Sequence, residues 1–267
     1  MKLAVYIPSR GRSDIIMETT LPLLVSFANN GVPINICVRE QEFPDYEFLH
    51  QNKDYNTKLR KVSSKMGIGE KRAYITNTLA KKDEADYILM LDDDIQSVVN
   101  MAGANLYPDQ IYSLVLSIID ELERRDAYYG GIAPYDNSFY FKNTITESLK
   151  YIIGAFQIIR VSDRTPISVG LKHFEDYVYC IEYFLRDGKI IRFNNYGIKT
   201  KYFNPVGGIC EYYGGIEKRM ADAEIVADAI CEKYDGMCKK YLKKKSSRVP
   251  EGYNLKLNHH FKHQDFR

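Results

Sequence analysis

Residues 87–94 read Tyr-Ile-Leu-Met-Leu-Asp-Asp-Asp, an apolar run that ends without transition in three consecutive carboxylates, Asp92, Asp93 and Asp94. Such a run, with no polar alternation, describes a strand buried on both faces. Three adjacent anions repel one another and resist burial, so at the tip of a core strand they require a counter-cation. Oxygen-only ligands suit a hard divalent ion such as Mg2+ or Mn2+. A solvated acidic turn is the plain alternative, but ligands bind at the carboxyl ends of strands in open α/β sheets, which favours the ion.

Around this strand, strand-like runs alternate with segments of helical length, the pattern of an α/β fold with a mainly parallel central sheet flanked by helices. Strands are expected at Leu3–Ile7, Pro33–Val38, Leu59–Val62, Gly130–Pro134, Ile152–Val161 and Lys189–Phe193. Helices are expected from Asp14 to Asn30, around Pro44–Gln51, from Gly67 through Leu79, and over Tyr107–Arg125, Glu175–Asp187 and Glu217–Tyr234. The glycine pairs Gly207-Gly208 and Gly214-Gly215 predict a mobile loop, a lid over a ligand.

With 267 residues, 45% of them hydrophobic and 27% charged, the chain is expected to build one large domain, residues 1–235. No apolar stretch approaches the length of a membrane span, and Pro8, Arg10 and Arg12 cut short the apolar start before it makes a signal peptide, so a cytoplasmic location is expected. The five cysteines are scattered without a CxxC pair, which suggests neither a disulfide framework nor a zinc site. The net charge of +2 conceals an asymmetry: residues 236–267 hold nine basic side chains against Glu251 and Asp265, a surplus of +7 that leaves −5 for the body. That basic C-terminal extension, with His259, His260 and His263, is expected to close over the site or to meet nucleic acid or acidic lipid, the alternative being a solvated helix end.

Three further segments join the acids. Arg10 and Arg12 follow the first strand and would lie at the same sheet edge as Asp92–Asp94, where guanidinium forks and a metal together would bind a diphosphate. Gly67-Ile68-Gly69-Glu70-Lys71-Arg72 supplies a helix N-terminus and two cations for an anion, without the ending of a Walker A loop or the GxGxxG of a dinucleotide fold. Glu175 and Asp176 open a helix, where the dipole favours ionised carboxylates; they read as a cap or as a catalytic base, with Asp176 the first choice and Glu175 the second.

The succession Ile7-Pro8-Ser9-Arg10-Gly11-Arg12, Gly67 to Arg72, Asp92-Asp93-Asp94 and Glu175-Asp176 resembles the GT-A glycosyltransferases, whose DxD motif and metal hold a sugar nucleotide. The opening Pro-Ser-Arg-Gly-Arg resembles more particularly the glycosyltransferases associated with TET/JBP base dioxygenases, many phage-encoded, whose expected acceptors are hydroxymethylated pyrimidines in DNA. The resemblance covers roughly residues 3 to 200. It implies a GT-A-like domain in which Asp94 ligates Mn2+ or Mg2+ and Asp92 lies near the ribose or the metal. It places Pro8, Ser9, Arg10, Arg12, Gly67 and Arg72 on the nucleotide side, makes Asp176 the base, and sets Glu175 beside sugar or acceptor. A C-terminal histidine, His259, His260 or His263, is a further metal candidate. The function so implied is transfer of a sugar from a nucleotide-sugar, a UDP-sugar first among donors, to a hydroxymethylated base in DNA, in a host cytoplasm if the protein is phage-encoded. The alternatives are a GT-A enzyme acting on a cell-surface or capsular glycan, a nucleotidyltransferase, and a catalytically silent nucleic-acid-binding relative.

Overall fold

The computed structural model describes residues 1–162, 171, 173–200, 216–244 and 251–265. Both glycine pairs expected to form a lid lie outside these residues, as do Cys210, Arg248 and Arg267.

Four parallel strands form one half of the central sheet, in the order β3 (Thr57–Val62), β2 (Ile34–Arg39), β1 (Leu3–Pro8) and β4 (Tyr87–Leu91). The order continues through β8 (Phe156–Arg160), β6 (Tyr129–Ala133), β9 (Ile191–Thr200) and β5 (Ile95–Asn100), with the short β7 (Ile145–Thr146) also on β9. β8 runs antiparallel to β4 and β6, and β6 is parallel to β9. Strands β1, β4, β6 and β9 therefore share one direction, and their carboxyl ends gather at one edge. Pairing of Val5 with Leu89 and of Tyr6 with Met90 carries Pro8 and Asp92 to that edge side by side.

Alternation along the strands divides the core into two layers. Val5, Ile7, Leu89 and Leu91 face one cluster, built with Ile16 of α1 (Ser13–Glu18), Phe27 of α2 (Val25–Asn29), Tyr46 and Leu49 of α3 (Phe43–Gln51), and Ile111, Val115, Ile118 and Leu122 of α6 (Pro108–Arg124). Ala4, Tyr6, Ile88 and Met90 face the other. There they meet α4 (Ile68–Tyr74), a π-helical turn (Ile75–Leu79), α5 (Ala80–Lys82), α7 (Glu175–Asp187) and α8 (Ile216–Lys233). Helices on both faces explain why β4 contains no polar position.

Three expectations are corrected. The helix expected over residues 14–30 is broken into α1, a 3-10 turn (Leu21–Leu24) and α2, because Pro22 has no N–H to continue it. The expected strand at 152–161 begins only at Phe156, and β5 and β7 add antiparallel pairs that no apolar run announced. Within the supposed tail, β10 (Cys238–Lys243) and β11 (Gly252–Leu257) form an antiparallel hairpin, and Leu255 and Leu257 are buried in the second cluster with Ala227, Ile230 and Tyr234. The described part of the basic segment is folded onto the body.

Candidate active site

At the end of β4 each aspartate has its own partners. The Asp92 side chain is the most open, and its Oδ1 accepts from Arg72 Nη2 at 2.6 Å. Asp93 is buried, with Oδ2 accepting from Ser9 Oγ at 2.6 Å and Oδ1 from Arg12 Nη1 at 2.9 Å. The same Arg12 nitrogen stands 3.3 Å from Asp94 Oδ2. The broken first helix contributes here: Thr20 Oγ1 donates to the Asp92 carbonyl at 2.9 Å and Thr19 Oγ1 to the Asp93 carbonyl at 3.1 Å, while the Ile95 N–H donates back to Thr20 Oγ1 at 3.0 Å. An unbroken helix would present one of these adjacent hydroxyls elsewhere.

Tyr46 closes the far side of this loop. Its hydroxyl lies 2.7 Å from Ser9 Oγ and accepts the Arg12 N–H at 2.8 Å. Burial pushes that phenol up to about 12, so it stays a neutral hydrogen-bonding group. Gly67 acts as the N-cap of α4, its own N–H donating to Glu70 Oε2 at 2.8 Å, and the helix it starts delivers Lys71 and Arg72. Lys71 Nζ donates to the Ser9 carbonyl at 3.1 Å; burial holds its ammonium below the usual range, and the charge of Arg10 pushes in the same direction. Arg10 follows Ser9, two residues beyond the end of β1 at the same edge. Pro8 ends β1 and is buried.

Arg72 joins this group to a second one. Its side chain is 3% exposed, with Nη2 on Asp92 and Nη1 3.2 Å from Glu175 Oε1. Gly154 makes room for it: a β-carbon there would lie 2.0 Å from Arg72 Nη1. Glu175 and Asp176 follow Phe174, which enters α7 in the left-handed region at φ 57°, a strained conformation for an aromatic residue and one that the site must stabilise. Glu175 is buried on the arginine, whereas Asp176 is half-buried. Asp176 Oδ2 accepts from the Tyr151 hydroxyl and from the Gly154 N–H at 3.1 Å, and Oδ1 accepts from the Tyr177 N–H at 3.0 Å. The Tyr151 and Tyr177 rings stack with centroids 3.9 Å apart, which fixes the phenol that orients the acid.

The edge is acidic beyond what its cations offset. Burial raises Asp93 and Asp94, Asp94 to about 7, with its two neighbouring aspartates next in effect and Arg12 opposing. Burial likewise raises Asp176 and lifts Glu175 to about 7 against the pull of Arg72. Oxygen donors in a partly buried, over-acidic loop fit a hard divalent cation. Among the described residues, no three acids, histidines or cysteines converge into a ready-made metal cage. Asp92 and Asp94 would therefore hold such an ion together with oxygens of a bound phosphate, the habit of Mg2+ sites. His263 is turned elsewhere: its Nε2 meets the Leu185 carbonyl at 2.7 Å, near the other end of α7, about 13 Å along the helix from Asp176.

Several of these residues escaped the sequence reading. Lys71 is expected only as a cation for an anion and Asp93 only as one of three acids, and Tyr46, Tyr151, Gly154, Thr19 and Thr20 carry no local signal because each reaches the acids from a remote part of the chain. Of the aromatic run Tyr135–Phe141, Phe141 is buried against Val99 and Ala133, while Phe139 and Tyr140 are exposed.

Comparisons with known proteins bear on the family and the fold. The family model described as TET-Associated Glycosyltransferase matches residues 3–208. The fold is similar to glucosyl-3-phosphoglycerate synthase from Mycobacterium tuberculosis solved with Mn2+, UDP and phosphoglyceric acid: 13% identity, 96% of this chain, 86% of that one, TM-score 0.54. The same enzyme solved with Mg2+ and UDP gives 12% identity, 96% and 87% coverage and a TM-score of 0.55. S. aureus TarS 1-349 is similar at 15% identity and TM-score 0.53 over 86% of this chain, which spans 66% of that fragment. At these identities the likeness concerns the fold. No curated protein sequence matches the chain.

Proposed function

The chain belongs to the TET-associated glycosyltransferase family, and from that premise we propose that it moves a sugar from a nucleotide-sugar, with Mn2+ or Mg2+, to the hydroxyl of a hydroxymethylated pyrimidine in DNA. The observation that carries this reading is the single buried guanidinium of Arg72, hydrogen-bonded on one side to Asp92 and ion-paired on the other with Glu175. It makes one site of a strand-end acid cluster suited to a donor diphosphate and a helix-start acid pair suited to deprotonating an acceptor. The neighbouring fold from Mycobacterium tuberculosis was solved with UDP and Mn2+ or Mg2+, which supports the same donor chemistry here.

In this reading Asp94 and Asp92 hold the cation, which when bound offsets the charge that gathers on the departing nucleoside diphosphate. Arg12, Arg10 and Lys71 line the nucleotide side. Arg12 also neutralises Asp93, so that the acidic loop keeps its shape whether or not donor is present. Asp176 accepts the proton of the acceptor hydroxyl. It serves better than Glu175, because Glu175 is buried on Arg72 and Asp176 is half-open, with Tyr151, Gly154 and Tyr177 fixing its plane. Its raised pKa brings its basicity closer to working pH, where a general base is most effective. In-line deprotonation by Asp176 gives inversion at the anomeric carbon.

The test is to incubate the protein and Mn2+ with a panel of UDP- and GDP-sugars and hydroxymethylated DNA, digest the DNA, and weigh the nucleosides. A hexose mass gain with release of nucleoside diphosphate is expected. Release of pyrophosphate would mark a nucleotidyltransferase, and transfer confined to glycan acceptors would replace the DNA assignment.

A further inference from the structure

On the other side of Tyr151 from Asp176, three separate elements bring cations together. Arg192 of β9 donates from Nη1 to the Tyr151 carbonyl at 2.9 Å, while the Tyr151 hydroxyl bonds Asp176. The Arg192 Nε donates to Asn194 Oδ1 at 2.8 Å, two residues along the same face of the strand. The Asn194 carbonyl accepts the Lys142 N–H at 3.0 Å, which sets Lys142 beside that guanidinium. Lys150 directly precedes Tyr151, whose carbonyl Arg192 holds; burial lowers the Lys150 pKa, and the charges of Arg192 and Lys142 act in the same direction. The folded C-terminal hairpin supplies the third element. His259 is pressed down first by burial and then by His260, Lys150, Lys256 and Arg192, and the His259 and His260 rings are 4.0 Å apart. Glu147, the nearest acid in sequence to Lys150, is bonded away to Arg125.

Like charges converging from three elements cost Coulomb energy that a bound polyanion recovers. The loop that carries Lys142 also carries the exposed rings of Phe139 and Tyr140, 84% and 59% exposed and 5.3 Å apart, and this loop leaves β6 at the carboxyl edge where the acids stand. Exposed aromatic rings beside a cationic track are what unstacked bases and their phosphates require.

Resting on the acceptor assigned above, we propose that Arg192, Lys142, Lys150 and the His259–His260 pair form an acceptor-phosphate subsite, which holds the backbone of the nucleic acid whose modified base stands at Asp176. Phe139 and Tyr140 stack a flanking base. The hairpin of β10 and β11 thus contributes through its fold, by carrying His259 and His260 directly after β11.

The experiment measures binding of the full chain to a short, fluorescently labelled, unmodified DNA strand by anisotropy across a salt series, without donor. Lys142→Glu/Lys150→Glu is expected to weaken binding by about tenfold or more and to reduce the slope of log affinity against log salt by about two, one unit for each lysine. Lys142→Gln/Lys150→Gln, which neutralises without reversing charge, is expected to reduce the slope equally, and it decides the matter if the glutamates disturb folding. Unchanged affinity and slope in both variants overturn the subsite. Loss of retention on phosphatidylserine vesicles with DNA binding intact overturns it in favour of a lipid surface. Because the DNA carries no acceptor hydroxymethyl group, the result stands apart from the transfer assay: wild type that binds through these lysines yet glycosylates only glycans would sink the proposed acceptor and leave the subsite.

Discussion

Asp92–Asp94 and Glu175–Asp176 share the Arg72 guanidinium yet are held by different means. The strand-end acids are fixed by side chains delivered from afar, Ser9, Arg12, Thr19 and Thr20, and after these bonds they still carry more negative charge than their partners offset. The helix-start pair is fixed partly from its own helix, by the Tyr177 N–H, and partly from one irregular segment, by the Gly154 N–H and the Tyr151 phenol, with one acid buried and one partly exposed. A cluster with residual charge is built to receive a ligand; a single oriented carboxylate is built to receive a proton.

The sharpest way to separate the two is Asp176→Asn. It should reduce transfer by about 10²–10⁴-fold, the usual contribution of a general base, while nucleotide-sugar affinity measured by calorimetry stays at the wild-type value. Equal loss of both would dissolve the division of labour.

Arg72→Met tests what the clusters share. Removing a buried cation between two acids leaves uncompensated charge, and denaturant unfolding should show a loss of about 3–5 kcal/mol. A loss under about 1 kcal/mol would mean the acids hold their places without it.

The smallest effect concerns pH. Burial raises Asp176, so the base form is disfavoured in the folded protein and transfer should climb over a pH range above that of an ordinary aspartate. Tyr151→Phe removes a hydrogen bond that favours the ionised acid, so the climb should move to higher pH, with a rate loss of about tenfold. Stability runs the other way: Glu175, ordinarily near 4.5 and lifted to about 7, makes the folded chain less stable as pH rises through that interval. A pH profile identical in wild type and Tyr151→Phe would remove the phenol from the site.

The same contrast explains what was legible in the sequence. The run Tyr87–Leu91 announced a strand buried on both faces, and Arg10 and Arg12, directly after the first strand, could be placed on its sheet edge, whereas Arg72 and Asp176 joined the site only through the family resemblance. β5 was hidden because Gln96, Ser97 and Asn100 interrupt its apolar side chains, and it begins directly after the acids that drew attention. The C-terminal hairpin was masked by its lysines, although Leu255-Lys256-Leu257 alternates with the period of a strand, and its leucines are buried as that period requires. Tyr151 and Gly154 belong to a segment without regular structure, where position is set by tertiary contacts with Arg72, Asp176, Tyr177 and Arg192, and no local rule reports those.

The central claim is that the acidic tip of β4 holds the donor. Titration of a UDP-sugar into wild type and Asp94→Ala, with and without Mn2+, tests it most directly. Binding that needs Mn2+ in wild type and is lost in Asp94→Ala is the predicted result; donor affinity unchanged by that substitution, or indifferent to the ion in wild type, would contradict it.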